Sequence, residues 1–279
     1  MARILITVKT SPQPSGSYGD TVCVAGVRLD TASPEWIRLY PVPFNYLPKA
    51  LQFSKYDIVE VELGEPSNDL RPETRTPDLQ KMIKIEHLKK WKSRWQLLQN
   101  LQEDSVCGLI AGATRDANAQ SLGWVKPREV GMRFAVNEGW TQKELKKMEL
   151  NTDRVTLPGM VIDRPTMARI LEAPRFKVFY TFKCVEKECR GHKMQILDWE
   201  LSELQRRSKH LSDEQLKQNI REKFLDQMHN STRETRLFVG NIHNPAMRRS
   251  FCVLGVFYPP KKDIQQYLPD QNRLFDELL

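Results

Sequence analysis

The residues best suited to metal chemistry lie in one short segment, Cys184-Val-Glu-Lys-Glu-Cys189-Arg-Gly-His192. Two cysteines with four residues between them, followed by a histidine three residues further on, are typical of a tight turn around tetrahedral zinc. Gly191 gives the backbone extra freedom where it must fold around the ion. Zinc accepts mixed sulfur and nitrogen ligands. The spacing therefore predicts zinc on Cys184, Cys189 and His192; the alternative is two free cysteines beside an exposed histidine in a hairpin.

A fourth ligand must come from elsewhere in the chain. Two predicted helices connect the strand that ends at Cys184 with a later strand that ends at Asn241. Such a crossover makes strands of one sheet parallel, and parallel strands finish at the same edge. We therefore expect His243 to be the fourth zinc ligand, ahead of His210 and Cys252. Four protein ligands form a closed structural site, whereas three ligands plus water form a catalytic one; the short turn favours the structural role.

Asp198 and Glu200 form the one carboxylate pair considered for catalysis. They would be metal ligands in a metal-dependent nuclease, but residues two apart on a helix point in different directions. No lysine partner follows them in a strand. We prefer a structural role in the first turn of a helix, where the helix dipole favours acidic groups. The phosphate-binding, dinucleotide-binding, serine-hydrolase and zinc-protease motifs are absent from the sequence.

Basic and aromatic residues indicate a nucleic-acid partner. The net charge is +8, and the excess is concentrated in residues 71–100 and 151–250, which carry +5 and +6. Within them lie two clusters that we predict to contact phosphates, namely Lys89, Lys90 and Lys92, and Arg206, Arg207 and Lys209. Alternation along a strand places Trp36, Arg38 and Tyr40 on one face, an arrangement suited to stacked bases. The alternatives are a merely solvated cationic surface and aromatic residues covered by a loop.

The first half of the chain is predicted to be mainly β. Short apolar runs separated by Gly/Pro turns favour a small barrel or sandwich, with strands at residues 4–8, 21–27, 35–40 and 56–63. A proline-rich connector occupies residues 64–80. From residue 85 to 101 the period becomes helical, with one apolar stripe of Leu88, Trp91, Trp95 and Leu98. We interpret the two tryptophans as core residues in preference to a base-stacking platform.

The second half mixes strands and helices. Strands are predicted at residues 122–125, 132–136, 176–184, 237–240 and 251–258. Helices are predicted over residues 143–150 and 194–209, with another beginning at Ser212. There the sequence Ser-Asp-Glu-Gln matches a capping box.

Length and composition limit the class of protein. A chain of 279 residues corresponds to about two domains. No apolar run approaches the roughly 18 residues of a membrane helix, and the N-terminal apolar stretch is too short for a signal peptide. Five cysteines indicate thiols or a metal site, not a disulfide framework. We therefore expect a cytoplasmic protein without a membrane partner.

Several motifs carry a family resemblance. Thr21-Val-Cys-Val-Ala-Gly-Val27 followed by Glu35-Trp-Ile-Arg-Leu-Tyr-Pro-Val42 resembles the start of the dual OB-containing domain proteins of bacteria and phages. Those proteins have Cys-x-Ala-Gly and then Trp-Ile-Arg-Pro, whereas here Leu39-Tyr40 precedes the proline. The segments Ser121–Pro127, Cys189–His192 with Asp198–Glu200, and Phe238–Asn241 are similar to the same group. The resemblance implies paired OB-like barrels and, by analogy, nucleic-acid binding in an anti-phage or mobile-element system.

Together these observations predict an α+β protein with two OB-like, β-rich halves. Residues 1–80 would form an OB-like barrel, residues 81–101 a bridging helix, and residues 102–279 a β-rich domain with the Cys/His turn and two inserted helices. We expect a protein that contains structural zinc and binds DNA or RNA mainly through the backbone, with a possible protein partner in a multi-subunit complex. The alternatives are a metal-dependent nuclease and a protein-interaction adaptor without nucleic-acid binding.

Overall fold

The fold comes from a computed structural model, which describes residues 1–16, 19–66, 69, 71–149, 154–157, 160–163 and 171–268. The first eight strands are β1 (Ala2–Lys9), β2 (Gln13–Ser15), β3 (Gly19–Arg28), β4 (Glu35–Val42), β5 (Asp57–Val61), β6 (Leu63–Gly64), β7 (Thr74–Pro77) and β8 (Ile83–His87). The others are β9 (Leu122–Val125), β10 (Arg128–Val136), β11 (Arg154–Leu157), β12 (Met160–Asp163), β13 (Phe176–Lys183), β14 (His192–Gln195), β15 (Arg236–Asn241) and β16 (Phe251–Phe257).

Within the described residues, six α-helices accompany these strands: α1 (Trp91–Leu98), α2 (Val106–Arg115), α3 (Gln142–Glu149), α4 (Trp199–Arg207), α5 (Asp213–Arg221) and α6 (Lys261–Ile264). The π-helical segment Glu222–Gln227 continues α5. The α+β class is confirmed. In the described part of the chain, no helix has both the length and the apolar character needed to cross a membrane.

The N-terminal half is one curled sheet that forms a half-barrel, with strand order β6-β7-β4-β3-β1-β5-β8 and β2 paired to β3. Both faces of this sheet are buried. In β1, Ile4 and Ile6 point into a core formed within the N-terminal half. Leu5, which lies opposite Val27 of β3, points into a second core shared with the C-terminal half. Because apolar residues occupy both faces, the strands read as nearly continuous apolar runs.

The C-terminal half contains two three-stranded sheets, ordered β10-β13-β14 and β16-β15-β9. A parallel bridge between Ile196 and Val253 places β14 beside β16, so the two sheets are neighbours. On one side they are packed by α2, α4 and α5, whose apolar residues join the core of this half. The hairpin β11–β12 forms a separate two-stranded sheet.

The main errors of the sequence prediction concern helix boundaries. Residues 83–87 form strand β8, so the predicted bridging helix shortens to α1. The segment from residue 194 likewise begins in β14, and α4 starts only at Trp199. The helix at Ser212 has the predicted capping box. Helix α2 was not predicted, because its two glycines weaken the helical signal; Ser105 caps it by accepting a hydrogen bond from the Gly108 N–H at 2.9 Å.

The shared core predicts that the two halves unfold together. The buried Phe238 ring packs against Trp36 of the N-terminal sheet and against Trp124 and Phe257. We expect Phe238→Ala to lower the free energy of unfolding by about 3–5 kcal/mol, with urea unfolding still a single transition by fluorescence and circular dichroism. Ile83→Ala, at an exposed position, should change stability by no more than about 0.5 kcal/mol. Two separate transitions in the wild-type protein would contradict the shared core.

Candidate metal centre

Four potential ligands meet where α2 packs against the β13–β14 hairpin. They are Cys107, Cys184, Cys189 and His192, and their ligand atoms all lie within 4.8 Å of one another. The Cys107 and Cys184 sulfurs are 3.6 Å apart, and His192 Nε2 is 3.5 Å from Cys107 Sγ and 3.2 Å from Cys189 Sγ. A tetrahedron with zinc-like bond lengths has edges of about 3.5–3.8 Å. The group could therefore hold a metal ion.

The hairpin holds three of these ligands in place. Cys184 directly follows β13, and His192 opens β14 opposite Phe182. The intervening turn closes at Gly191, whose φ of 98° lies in the left-handed region that favours glycine. The Cys184 N–H points at the Cys189 sulfur at 3.4 Å, a donor that stabilises a thiolate.

The fourth ligand comes from α2, which polar contacts hold against the hairpin. Ser105, the N-cap of α2, donates its hydroxyl to the Glu186 carboxylate at 2.7 Å. From the neighbouring strand, the Arg128 guanidinium donates to the Cys184 carbonyl at 2.7 and 3.1 Å. The Ser105 bond holds α2, and with it Cys107, against the turn, and the Arg128 bonds fix the turn to β10.

The electrostatics of the cluster suit a cation. Burial raises the pKa of Cys107 to about 12. Burial also opposes ionisation of Cys189, but the N–H groups of Cys184 and Gly191 outweigh it, so the pKa of this thiol is lowered. Burial lowers the pKa of His192, which favours the neutral imidazole that binds metals. A metal ion would displace the remaining thiol protons, so its affinity should fall as pH falls.

The structure confirms that the three hairpin residues lie together, but it replaces the expected fourth ligand. His243 does not join the cluster; half of its side chain is exposed, and its Nε2 lies 3.8 Å from Asp69 Oδ1. Of the lower-ranked candidates, His210 is exposed and Cys252 is buried in β16. Strand β15 does run parallel to β13, but β14 and β16 lie between them. The end of β13, next to Cys184, and the end of β15 at Asn241 are therefore three strand spacings of about 4.8 Å apart, or about 14 Å, which is too far for His243 to reach the cluster.

Asp198 and Glu200 bind a lysine in place of a metal ion. Asp198 caps α4 by accepting the Glu200 N–H at 2.8 Å, as the structural interpretation predicted. Lys55, from the N-terminal half, lies 3.0 Å from Asp198 Oδ2 and 3.3 Å from Glu200 Oε1. Burial opposes ionisation of Glu200, but Lys55 outweighs it and lowers the pKa of this carboxyl. Since an ammonium group occupies the position between the carboxylates, this arrangement does not resemble an open two-carboxylate metal site.

The predicted base-contacting face of β4 is covered. Arg38 is only 1% exposed, and it donates to Cys23 Sγ at 2.9 Å and to Ser121 Oγ at 2.9 Å. Trp36 packs edge-on against Phe238, with ring centroids 6.1 Å apart. Arg38 is therefore not available to stacked bases, because the C-terminal half packs over it, whereas Trp36 is only partly buried. Tyr40 is half-buried at the edge of a cavity.

The two predicted basic clusters differ in how free their charges are. Lys89, Lys90 and Lys92 are exposed at the start of α1. In the other cluster, Arg206 and Arg207 both form ion pairs with Glu203, and Lys209 pairs with Glu172. Trp91 and Trp95 pack against Phe257, which confirms their interpretation as core residues.

From the composition of the Cys/His cluster we expect the number of metal ions bound per chain to depend on Cys107 and not on His243. Purified wild-type protein should contain about one metal ion per chain by elemental analysis. Cys107→Ser and Cys184→Ser should each reduce that content, whereas His243→Ala should leave it unchanged. Dialysis at decreasing pH should release the ion, because protons compete for its ligands. Full metal retention in a Cys184→Ser/Cys189→Ser variant would contradict the site.

The lysine between the acidic residues predicts no divalent-ion-dependent cleavage. We expect wild-type protein with Mg²⁺ or Mn²⁺ to leave DNA and RNA oligonucleotides intact in gel assays, because the Lys55 ammonium occupies the position between Asp198 and Glu200. Cleavage that Asp198→Ala and Glu200→Ala both abolish, with circular dichroism unchanged, would establish the nuclease alternative.

Two family models cover nearly the whole chain. Residues 102–279 match a domain of unknown function (DUF8757), and residues 1–100 match a second domain of unknown function (DUF8758). No curated protein matches the sequence. Since the first model spans more than half of the residues, the chain belongs to the DUF8757 family.

Proposed function

We propose that this protein binds single-stranded DNA or RNA through a basic sheet face, defined by Arg133, Lys177, Phe179, Lys183 and Lys193. The Cys/His cluster would hold structural zinc beneath one end of that face. The observation that carries the proposal is the register of β10, β13 and β14, which brings these four cations around one partly exposed aromatic ring.

Strand register supports a common face. Burial alternates along β13, with Phe176, Val178, Tyr180 and Phe182 buried and the intervening residues directed outward. Phe179 lies opposite Arg133 on β10, and Thr181 lies opposite Lys193 on β14. Directly opposite residues of antiparallel strands share a face.

The chemistry of the face matches that of a stacking platform. The Lys193 ammonium lies 4.7 Å from the centroid of the Phe179 ring. One of the four cations, Lys183, pairs with Glu129 at 2.8 Å, which leaves a clear positive excess. Single-strand binding without base readout combines cations along the backbone with aromatic rings that stack on bases.

The metal cluster connects directly to this face. Lys183 immediately precedes the ligand Cys184, and Lys193 immediately follows the ligand His192. An ion bound to the cluster would hold the ends of β13 and β14 in register and so fix the spacing of these lysines. Three sulfurs and one imidazole nitrogen form the closed ligand set of a structural zinc site, which supports zinc and argues against a catalytic metal.

A protein-interaction adaptor remains the second candidate. Strand β8 ends the N-terminal sheet, and Ile83 and Ile85 are about half exposed on it. An edge strand with exposed apolar side chains can pair with an extended segment of another protein.

Oligonucleotide binding tests the basic sheet face. Lys177→Ala/Lys193→Ala should weaken binding of a single strand and flatten the slope of log K against log salt by about 1.4, since each lost contact contributes about 0.7. Phe179→Ala should weaken binding by about 1–3 kcal/mol with the slope nearly unchanged. Fluorescence anisotropy at several salt concentrations measures both quantities.

Lys261→Ala/Lys262→Ala is the matched control, because it removes the same charge at the start of α6. Equal losses in the control and the sheet-face variant would show that only net charge matters. No binding of wild-type protein to any single strand at low salt would reject the proposal and favour the adaptor.

A further inference from the structure

A cavity of about 270 Å³ lies where the two halves meet. Its walls come from three motifs that the sequence analysis distinguished: Cys23 of β3, Arg38 and Tyr40 of β4, and Asn241 at the end of β15, with His243 just beyond. The volume is near the lower end of the roughly 300–1,000 Å³ range of small-molecule sites. The cavity therefore has room for one compact ligand and excludes a longer chain segment.

The charge of the walls favours an anion. Three cationic residues line the cavity, namely Arg38, Arg71 and Lys147, whereas no described aspartate or glutamate does. Arg71 is held by the Asp69 carboxylate and donates to the Asn241 carbonyl at 2.7 Å. Lys147 of α3 forms no ion pair with a carboxylate of the described residues. Its ammonium group can therefore neutralise a ligand.

Two polar side-chain atoms of residues that line the cavity have no hydrogen-bond partner among the described residues. They are Arg38 Nε, a donor on a side chain that is almost completely buried, and Asn241 Oδ1, an acceptor. The remaining groups of both side chains are engaged: Arg38 bonds Cys23 and Ser121, and the Asn241 amide donates to the Arg248 carbonyl at 3.0 Å. An unpaired buried polar group costs about 1–3 kcal/mol. Both atoms are closed to solvent, so a ligand that recovers this cost must shift the two side chains in order to reach them.

We propose that this cavity binds a single nucleotide unit. A nucleobase edge offers an acceptor and a donor together, as Arg38 and Asn241 require. The phosphate would lie at the rim beside Lys147, since the Asp69 carboxylate lies next to His243. This inference extends the proposed nucleic-acid function by adding a site for one nucleotide, either free or at the end of a strand.

Direct binding of mononucleotides tests the site with the full-length protein. AMP, CMP, GMP and UMP would be titrated by calorimetry against inorganic phosphate and ribose 5-phosphate. At least one mononucleotide should bind about ten-fold or more tightly than either phosphate compound, a difference of about 1.4 kcal/mol. Equal affinity for inorganic phosphate would reduce the cavity to an anion subsite and overturn the assignment.

Variants locate the binding within the cavity. Lys147→Ala should weaken mononucleotide binding about five-fold or more, whereas Lys146→Ala, an exposed lysine about 100° away around the same helix, should have no effect. Asn241→Ala should reduce the preference for nucleotide over ribose 5-phosphate, with the melting temperature measured to confirm folding. If Lys147→Ala and Lys146→Ala behave alike, the site lies elsewhere and the inference is wrong.

Two further measurements separate this inference from the proposed function. The Lys177→Ala/Lys193→Ala variant should keep full mononucleotide affinity even where oligonucleotide binding is lost. Mononucleotide binding without any oligonucleotide binding would reject the basic sheet face and retain the cavity; the reverse result would reject the cavity alone. Displacement of a bound mononucleotide by a 5′-phosphorylated oligonucleotide would identify a strand end as the ligand, and failure to displace it would identify a free nucleotide.

Discussion

The N-terminal sheet has apolar side chains on both faces, and the burial of its second face organises the whole protein. Leu5, Ala25 and Val27 lie on this second face, and within the first hundred residues α1 covers part of it with Trp95 and Leu98. Phe238, Phe257 and Trp124 of the C-terminal half supply the rest of the cover. Transfer of such side chains out of water stabilises by about 25 cal/mol per Å² of apolar surface, so association of the two halves is part of folding.

This packing has consequences for the polar groups near the join. Lys55 lies between Asp198 and Glu200, and Arg38 lies against Cys23 and Ser121, each contact crossing or bordering the boundary. Removing charges from water is costly and is offset only by good pairing. These contacts therefore orient the halves and favour one docking geometry more than they add stability. The same boundary encloses the cavity around Asn241.

The Cys/His cluster imposes a second, local constraint. It lies at the turn that connects β13 and β14, two strands of a three-stranded sheet. Cys107 extends the cluster to α2, so one bound ion would fasten a helix to two strands. Lys183 and Lys193 are the immediate chain neighbours of the ligands Cys184 and His192. An ion that fixes these ligands would therefore also fix the positions of the two lysines on the basic sheet face.

The sequence by itself determined features that depend on neighbouring residues. Strand and helix types followed from the periodicity of apolar residues, the capping box at Ser212 from four neighbouring residues, and three of the four cluster residues from a nine-residue segment. Each of these features depends on interactions between residues close in the chain.

Only the tertiary structure decided the rest. Cys107 lies 77 residues before Cys184, and nothing near it in sequence indicates a ligand. Alternation correctly separated the two faces of β4, but it could not show that the face with Arg38 is buried, because the covering residues lie in the other half. Lys55 reaches Asp198 across 143 residues for the same reason. Contacts between distant segments depend on how the faces of whole sheets and helices pack together. The residue pattern within one segment does not show which other segment will cover it.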